Sequence, residues 1–156
     1  MLELHVIPAD VIGCYGQPAA LDQFSDGSEV SVRVAPDELL LLGKRQQIAE
    51  IEAQLATADP TSVVIDLSCA FGVWALRGEQ RLEAFRRLSA IPLPEEPAAT
   101  QGLVAQIPAK LIVQPDELVI VVSAVVSHHL RRRLLAACAD LAPSEYTVIA
   151  LQEASV

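Results

Sequence analysis

The side chains with the most chemical scope in this sequence fall in two short runs, Asp66-Leu67-Ser68-Cys69 and His128-His129-Leu130-Arg131-Arg132-Arg133. In the first, a carboxylate, a hydroxyl and a thiol follow an apolar stretch. Asp66 and Ser68 are the candidates for orienting a ligand there, and the same two residue types also satisfy the backbone of a turn. Cys69 has no His or Lys beside it to draw off its proton, and Ser68 lies in no Gly-x-Ser-x-Gly elbow, so neither is set up as a nucleophile. In the second run, adjacent helical positions point about 100° apart, which keeps His128 and His129 from sharing one metal ion. Arg131, Arg132 and Arg133 make the one concentrated basic patch. They read as a charged helix face, a dock for an acidic partner or a holder of an anionic group. Arg86-Arg87 is a smaller patch. No CxxC, HxH or HExxH spacing points to a metal, and no GxGxxG or Walker pattern to a nucleotide. His5 would join His128 and His129 only through a tertiary approach that the spacing does not announce. The expectation is a chain with no catalytic residues and no cofactor or metal of its own.

Composition narrows the partners. With 156 residues, 52% of them hydrophobic, the chain can bury one core, and a single domain over 1–156 is expected. Twenty acidic against eleven basic residues give a formal charge of −9, which repels a phosphate backbone and argues against nucleic acid. The start, MLELHVIPADVI, lacks a basic leader, and the longest apolar run, Leu118–Val126, is far shorter than the roughly 20 residues that span a bilayer. No membrane contact and a cytoplasmic location are expected. Cys14, Cys69 and Cys138 are odd in number and far apart, and read as buried free thiols.

The elements that must position these residues follow a repeated phrase. VSVRVAPDELLLLG (30–43) and AKLIVQPDELVIVV (109–122) each set a Pro-Asp-Glu turn between two apolar runs and precede an amphipathic stretch. This predicts α+β architecture from repeated β-turn-β-α units, with mostly antiparallel sheet and helices on one side, the other face being free for another sheet or subunit. Residues 1–29 suggest one short strand near Leu4–Ile7 and otherwise loop. Residues 44–56 place Ile48, Ile51 and Leu55 on one helical stripe. Thr61–Leu67 is apolar enough to lie inside a sheet, with Phe71–Leu76 as its hairpin partner and a helix over Glu79–Leu88. The Pro-rich stretch Ile91–Thr100 separates two halves, about 1–91 and 101–156. Leu103–Ile107 and Leu111–Val113 are predicted strands around Pro108. Ser127–Ala139 reads as a helix burying Leu130, Leu134, Leu135 and Cys138, and Glu145–Leu151 as a last strand.

On these phrases the chain resembles the gamma subunit of heterotetrameric sarcosine oxidase, a family related to the folate-binding domain of aminomethyltransferase, the glycine-cleavage T protein. The residues that carry the likeness are VRVAPDELLLLG, VVIDLSCAFGVWALRGEQRLEAFRRL and AKLIVQPDELVIVVSAVVSHHLRRRLLAA. The second phrase is similar to an Asp-x-Ser-His turn that lies near folate in T-protein relatives, with Asp66, Leu67 and Ser68 in place and Cys69 where those relatives have histidine. The glycine-rich hairpin that bears their catalytic aspartate compares with TQGLVAQIPAKLIV, which holds no acid. The resemblance therefore implies a non-catalytic structural and assembly subunit of a sarcosine-oxidase-type flavoenzyme that oxidatively demethylates an N-methyl amino acid. It implies alpha, beta and delta partner subunits, with FAD, FMN, NAD and tetrahydrofolate held by them and not by this chain. The alternatives are a small tetrahydrofolate-binding, aminomethyltransferase-like protein and a self-associating scaffold domain.

Overall fold

A computed structural model describes residues 1–24, 30–43, 48–95 and 98–147. Two sheets lie face to face, one of six strands in the order β10-β1-β6-β9-β8-β7 and one of four in the order β3-β4-β2-β5. The first contains β1 (Glu3–Ile7), β6 (Phe71–Arg77), β7 (Ala98–Val104), β8 (Ile107–Val113), β9 (Glu117–Ser123) and β10 (Ser144–Thr147). The second contains β2 (Asp10–Tyr15), β3 (Val30–Ala35), β4 (Glu38–Gly43) and β5 (Val63–Asp66). All pairings are antiparallel except β1 with β10. Helices α3 (Arg81–Leu88) and α4 (Ala124–Ala137) cover the outer face of the large sheet; α1 (Pro18–Leu21) and α2 (Ile48–Ala58) cover that of the small one.

This layering explains the unbroken apolar runs. Along β4, Leu39 and Leu41 point to α1 and α2 while Leu40 and Leu42 point to the facing sheet. Along β9, Leu118, Ile120 and Val122 meet the helices, and Val119 and Val121 meet the other sheet. A strand covered on both faces needs apolar residues at both parities, so alternation disappears. The face predicted to be free for another sheet or subunit is thus occupied within the chain. Each sheet keeps its helices on one side, and helices consequently lie on both outer surfaces.

Both Pro-Asp-Glu phrases form strand-turn-strand followed by helix, as β3-β4-α2 and β8-β9-α4. An arginine clips each turn by donating to its prolyl carbonyl: Arg33 to Pro36 at 3.2 Å and Arg81 to Pro115 at 2.5 Å. Several boundaries differ from the sequence reading. The stretch taken as loop contains β2 and α1, because Val11, Ile12 and Cys14 are buried on both faces of a strand interrupted by Gly13. At Gly13 a Cβ would lie 2.7 Å from Leu67 Cδ1, so a larger residue would make the Leu67 side chain move. β5 and β6 are not a hairpin; they pair with different sheets, and the chain crosses between layers at Leu67–Ala70. β5 lies at an edge and not inside a sheet.

The β7–β8 turn is at Ala105-Gln106 rather than around Pro108. Both residues have positive φ, 51° and 65°, the two-residue geometry usually marked by Asn-Gly. Ala105 is held there by its own N–H to Leu88 O at 2.7 Å. The helices predicted over 44–56, Glu79–Leu88 and Ser127–Ala139 are present as α2, α3 and α4, with 44–47 outside the described residues. The last strand is described to Thr147, so the predicted extension to Leu151 also lies outside.

Candidate functional site

The Asp66–Cys69 turn is built where β5 leaves the small sheet. Asp66 Oδ1 accepts from the Ser68 N–H at 3.0 Å and from the Ser68 hydroxyl at 2.6 Å. Ser68 Oγ in turn accepts from the Val11 N–H at 3.0 Å, and Leu67 N–H donates to Val11 O at 2.7 Å. These polar atoms dock the turn onto β2. They satisfy backbone groups at the start of that strand, which is what short polar side chains do best at a strand end. Cys69 is exposed, whereas Cys14 and Cys138 are buried. The expectation of three buried thiols is therefore corrected at Cys69, which sits on a one-turn 3-10 segment facing out. Burial pushes the Cys138 thiol up, with Arg87 pulling the other way.

The arginine run divides by helix geometry. Arg131 faces β10 and grips Glu145 with both ends of its guanidinium, Nε at 2.6 Å and NH2 at 2.9 Å. Arg132 and Arg133 are exposed on the opposite side with His128 and His129. Arg133 donates to His129 Nε2 at 3.3 Å. No acid interrupts α4. Its outward face is a cationic row headed by Val125, 91% exposed. On α3, Arg87 is exposed but fully engaged. It reaches Asp140, Glu83 and the Ala137 carbonyl, tying the end of α4 to α3, and these acids hold its guanidinium above its ordinary range, Asp140 most strongly.

A third cluster was not singled out from the sequence. Asp59, only 5% exposed, closes the corner between α2 and β5. Its carboxylate accepts from the Gln17 N–H at 2.7 Å, the Thr61 N–H at 2.9 Å and the Thr61 hydroxyl at 2.7 Å. The Thr61 hydroxyl, and then the two backbone donors, hold it below the usual carboxylate range. The signal is present in the sequence as Asp-Pro-Thr, an acid followed two residues later by a hydroxyl. Beside it opens a hollow of about 250 Å³ lined by Tyr15, Gln17, Asp37, Asp59, Thr61 and Val63. Tyr15 donates to Glu38 at 3.3 Å; burial, and then that carboxylate, raises its phenol. His5 is buried on β1, bonded to Glu3 at 2.9 Å and stacked on Tyr146 at 4.9 Å, with its Nδ1 unpartnered.

Among the described residues, no three His, Cys, Asp or Glu side chains form a group able to hold a metal ion. No helix among them is long and apolar enough to cross a membrane. The three clusters share one property, that their polar atoms are largely spent on joining elements of the same chain. Among the described residues, what remains outward includes the exposed face of α4 and the strand edges of β5 and β10.

No protein-family model matches the chain, and no curated protein matches it. Solved structures do. A chain of the heterotetrameric sarcosine oxidase from Corynebacterium sp. U-96 superposes with a TM-score of 0.75 at 20% identity, over 93% of this chain and 87% of that one. The glycine cleavage system aminomethyltransferase T from Bartonella henselae superposes with a TM-score of 0.63 at 16% identity, over 92% of this chain and 47% of that one. This chain shares their fold. The resemblance read in the sequence phrases is thus present in the three-dimensional architecture, and the match to the sarcosine oxidase chain runs through almost the whole of both. The regulatory subunit of aspartate kinase from Thermus thermophilus matches more distantly, with a TM-score of 0.50 at 9% identity.

Proposed function

We propose that this chain is a structural and assembly subunit of a heterotetrameric, sarcosine-oxidase-type flavoenzyme that oxidatively demethylates an N-methyl amino acid. The observation that carries the reading is the near full-length superposition on a chain of such a heterotetramer. The spent chemistry of the Asp66–Ser68 turn supports it, because a turn whose oxygens hold β2 in place contributes architecture and not catalysis. In this reading 1–156 is one domain whose two β-turn-β-α units are repeats, and the protein works in the cytoplasm. FAD, FMN, NAD and tetrahydrofolate belong to the alpha, beta and delta partners. The exposed face of α4, with the cations Arg132 and Arg133 beside His128 and His129, docks an acidic surface of the large partner, while Arg131 keeps β10 on the helix.

Native affinity purification from the source cell, with mass spectrometry and a visible spectrum of the eluate, tests the proposal. Stoichiometric larger subunits and a flavin spectrum are expected. A colourless protein eluting alone would overturn it. The likeness to aminomethyltransferase T supports a second reading, a small tetrahydrofolate binder, which calorimetry with tetrahydrofolate would reveal as saturable heat. The scaffold reading requires self-association, which light scattering over a wide concentration range detects.

A further inference from the structure

Among the described residues the edges β3 and β7 are covered, whereas β5 and β10 each pair with one strand only. β3 packs against β7 and β8, with Gln101 Nε2 donating to Val34 O at 3.1 Å. β7 is overlaid by the segment after α3: Ser89 Oγ donates to Leu103 O at 2.7 Å, and a Cβ on Gly102 would meet Ile91 at 2.4 Å. β5 has no such cover among the described residues, where it pairs with β2 alone. Val64 packs toward α2, but Val63 and Ile65 point the other way, on the side facing the large sheet, where the inter-sheet core reaches no further than Leu67. They stand 51% and 43% exposed. The strand reads Val-Val-Ile-Asp with no lysine, proline or bulge, which are the usual guards against a further strand adding to an edge.

Among the described residues, the hollow beside this edge is lined by acids and no cation. The hollow that Val63 shares with Tyr15 and Thr61 also holds Asp37, exposed and without an ion pair among the described residues, and Asp59; Glu38 accepts from Tyr15 at its margin and Asp66 closes the strand. The near cation, Arg33, is engaged by Asp22 and by the Pro18 and Pro36 carbonyls. A second copy pairing β5 with β5 would bring two such acidic rims together. Through strands of four residues it would also fall far short of the roughly 1,200 Å² of a stable interface. We infer that the β5 edge receives an extended, basic segment of a partner protein as a fifth strand of the small sheet, with apolar side chains on Val63 and Ile65 and cations toward Asp37 and Glu38. The inference adds a second contact to the subunit reading and rests on that reading for the partner's existence. The test reads the edge alone, so failure to co-purify with larger subunits and failure of the edge to bind are separate results.

The probe is an alternating Lys-Val octapeptide, with its Glu-Val counterpart as control, titrated into the isotopically labelled full chain while amide resonances are followed. Saturable shifts concentrated at residues 63–66 are expected with the basic peptide only. Ile65→Lys should weaken binding at least tenfold at unchanged melting temperature, and Leu103→Lys, equal in charge and also exposed, should leave it nearly unchanged. Asp37→Asn, which neutralises a carboxylate lining the hollow, should weaken it two- to threefold. Shifts absent from 63–66, equal binding of the acidic peptide, or equal losses in Ile65→Lys and Leu103→Lys would overturn the inference. So would peptide-free, concentration-dependent shifts at 63–66, which would identify a second copy as the occupant.

Discussion

The six-stranded sheet and the four-stranded sheet bury similar apolar runs against each other, yet their outer halves are finished differently. On the large sheet, α3 and α4 are cross-tied: Arg87 bridges the two helices, Arg131 clamps β10, and Trp74 Nε1 donates to Ser127 Oγ at 2.8 Å. On the small sheet, α1 is a single turn and α2 packs mainly through Ile51 and Leu55, with Asp59 as the chief polar latch and β5 left open. The contrast teaches where rigidity and contact reside. A layer whose helices are tied to one another and to its strands holds its shape, and an uncovered strand edge still has hydrogen bonds to give.

Breaking the closed half should be costliest. Phe85, 1% exposed, is the largest fully buried side chain of α3, so Phe85→Ala should lower unfolding free energy by about 3–5 kcal/mol in urea denaturation. In the open half Leu55, 0% exposed, anchors α2, and Leu55→Ala should cost about 2–4 kcal/mol by the same measurement. An equal or larger loss at Leu55 would erase the contrast between the halves. Asp59→Asn sharpens it through pH. The folded carboxylate is held below its ordinary value, so the stability it confers is present above about pH 4 and is lost as pH falls through its depressed folded value. The variant should melt below the wild type at pH 7, and the gap should close in acid.

Smaller effects separate architecture from binding. Ser68→Ala leaves the Val11 N–H without its acceptor and should cost about 1 kcal/mol. A change in tetrahydrofolate heat with no change in stability would instead revive a ligand role for that turn. Arg131→Gln removes a half-exposed pair with Glu145 and should cost no more than about 0.2–1 kcal/mol, because solvent screens it. Arg132→Gln, by contrast, should leave stability alone and weaken partner capture.

Much of the fold was legible because local chemistry speaks for itself. The Pro-Asp turns, the Ile51 and Leu55 stripe of α2 and the Leu130, Leu134 and Cys138 stripe of α4 need only neighbours in sequence to be recognised. β2 was not legible: Gly13 and Gly16 look like loop, and only the close approach of Leu67 and of Asp59 explains them. The Ala105-Gln106 turn was hidden for a similar reason, since its left-handed residues carry no turn signature and depend on contact with Leu88. At the candidate site, the sequence identified Asp66, Ser68 and the arginine run as polar groups worth watching, but their use was decided by Val11 and Glu145, which are 57 and 14 residues away along the chain.

By itself, then, the sequence determined the turns, the amphipathic helices, the acidic balance and the likeness to the sarcosine oxidase and aminomethyltransferase architecture. Periodicity, proline geometry and charge are properties of neighbouring residues. Only the tertiary structure decided that β5 and β6 belong to different sheets, that Arg131 turns inward while Arg132 turns out, and that the β5 edge is uncovered among the described residues. Those outcomes depend on which distant backbone groups are already satisfied when two sheets close over a shared core.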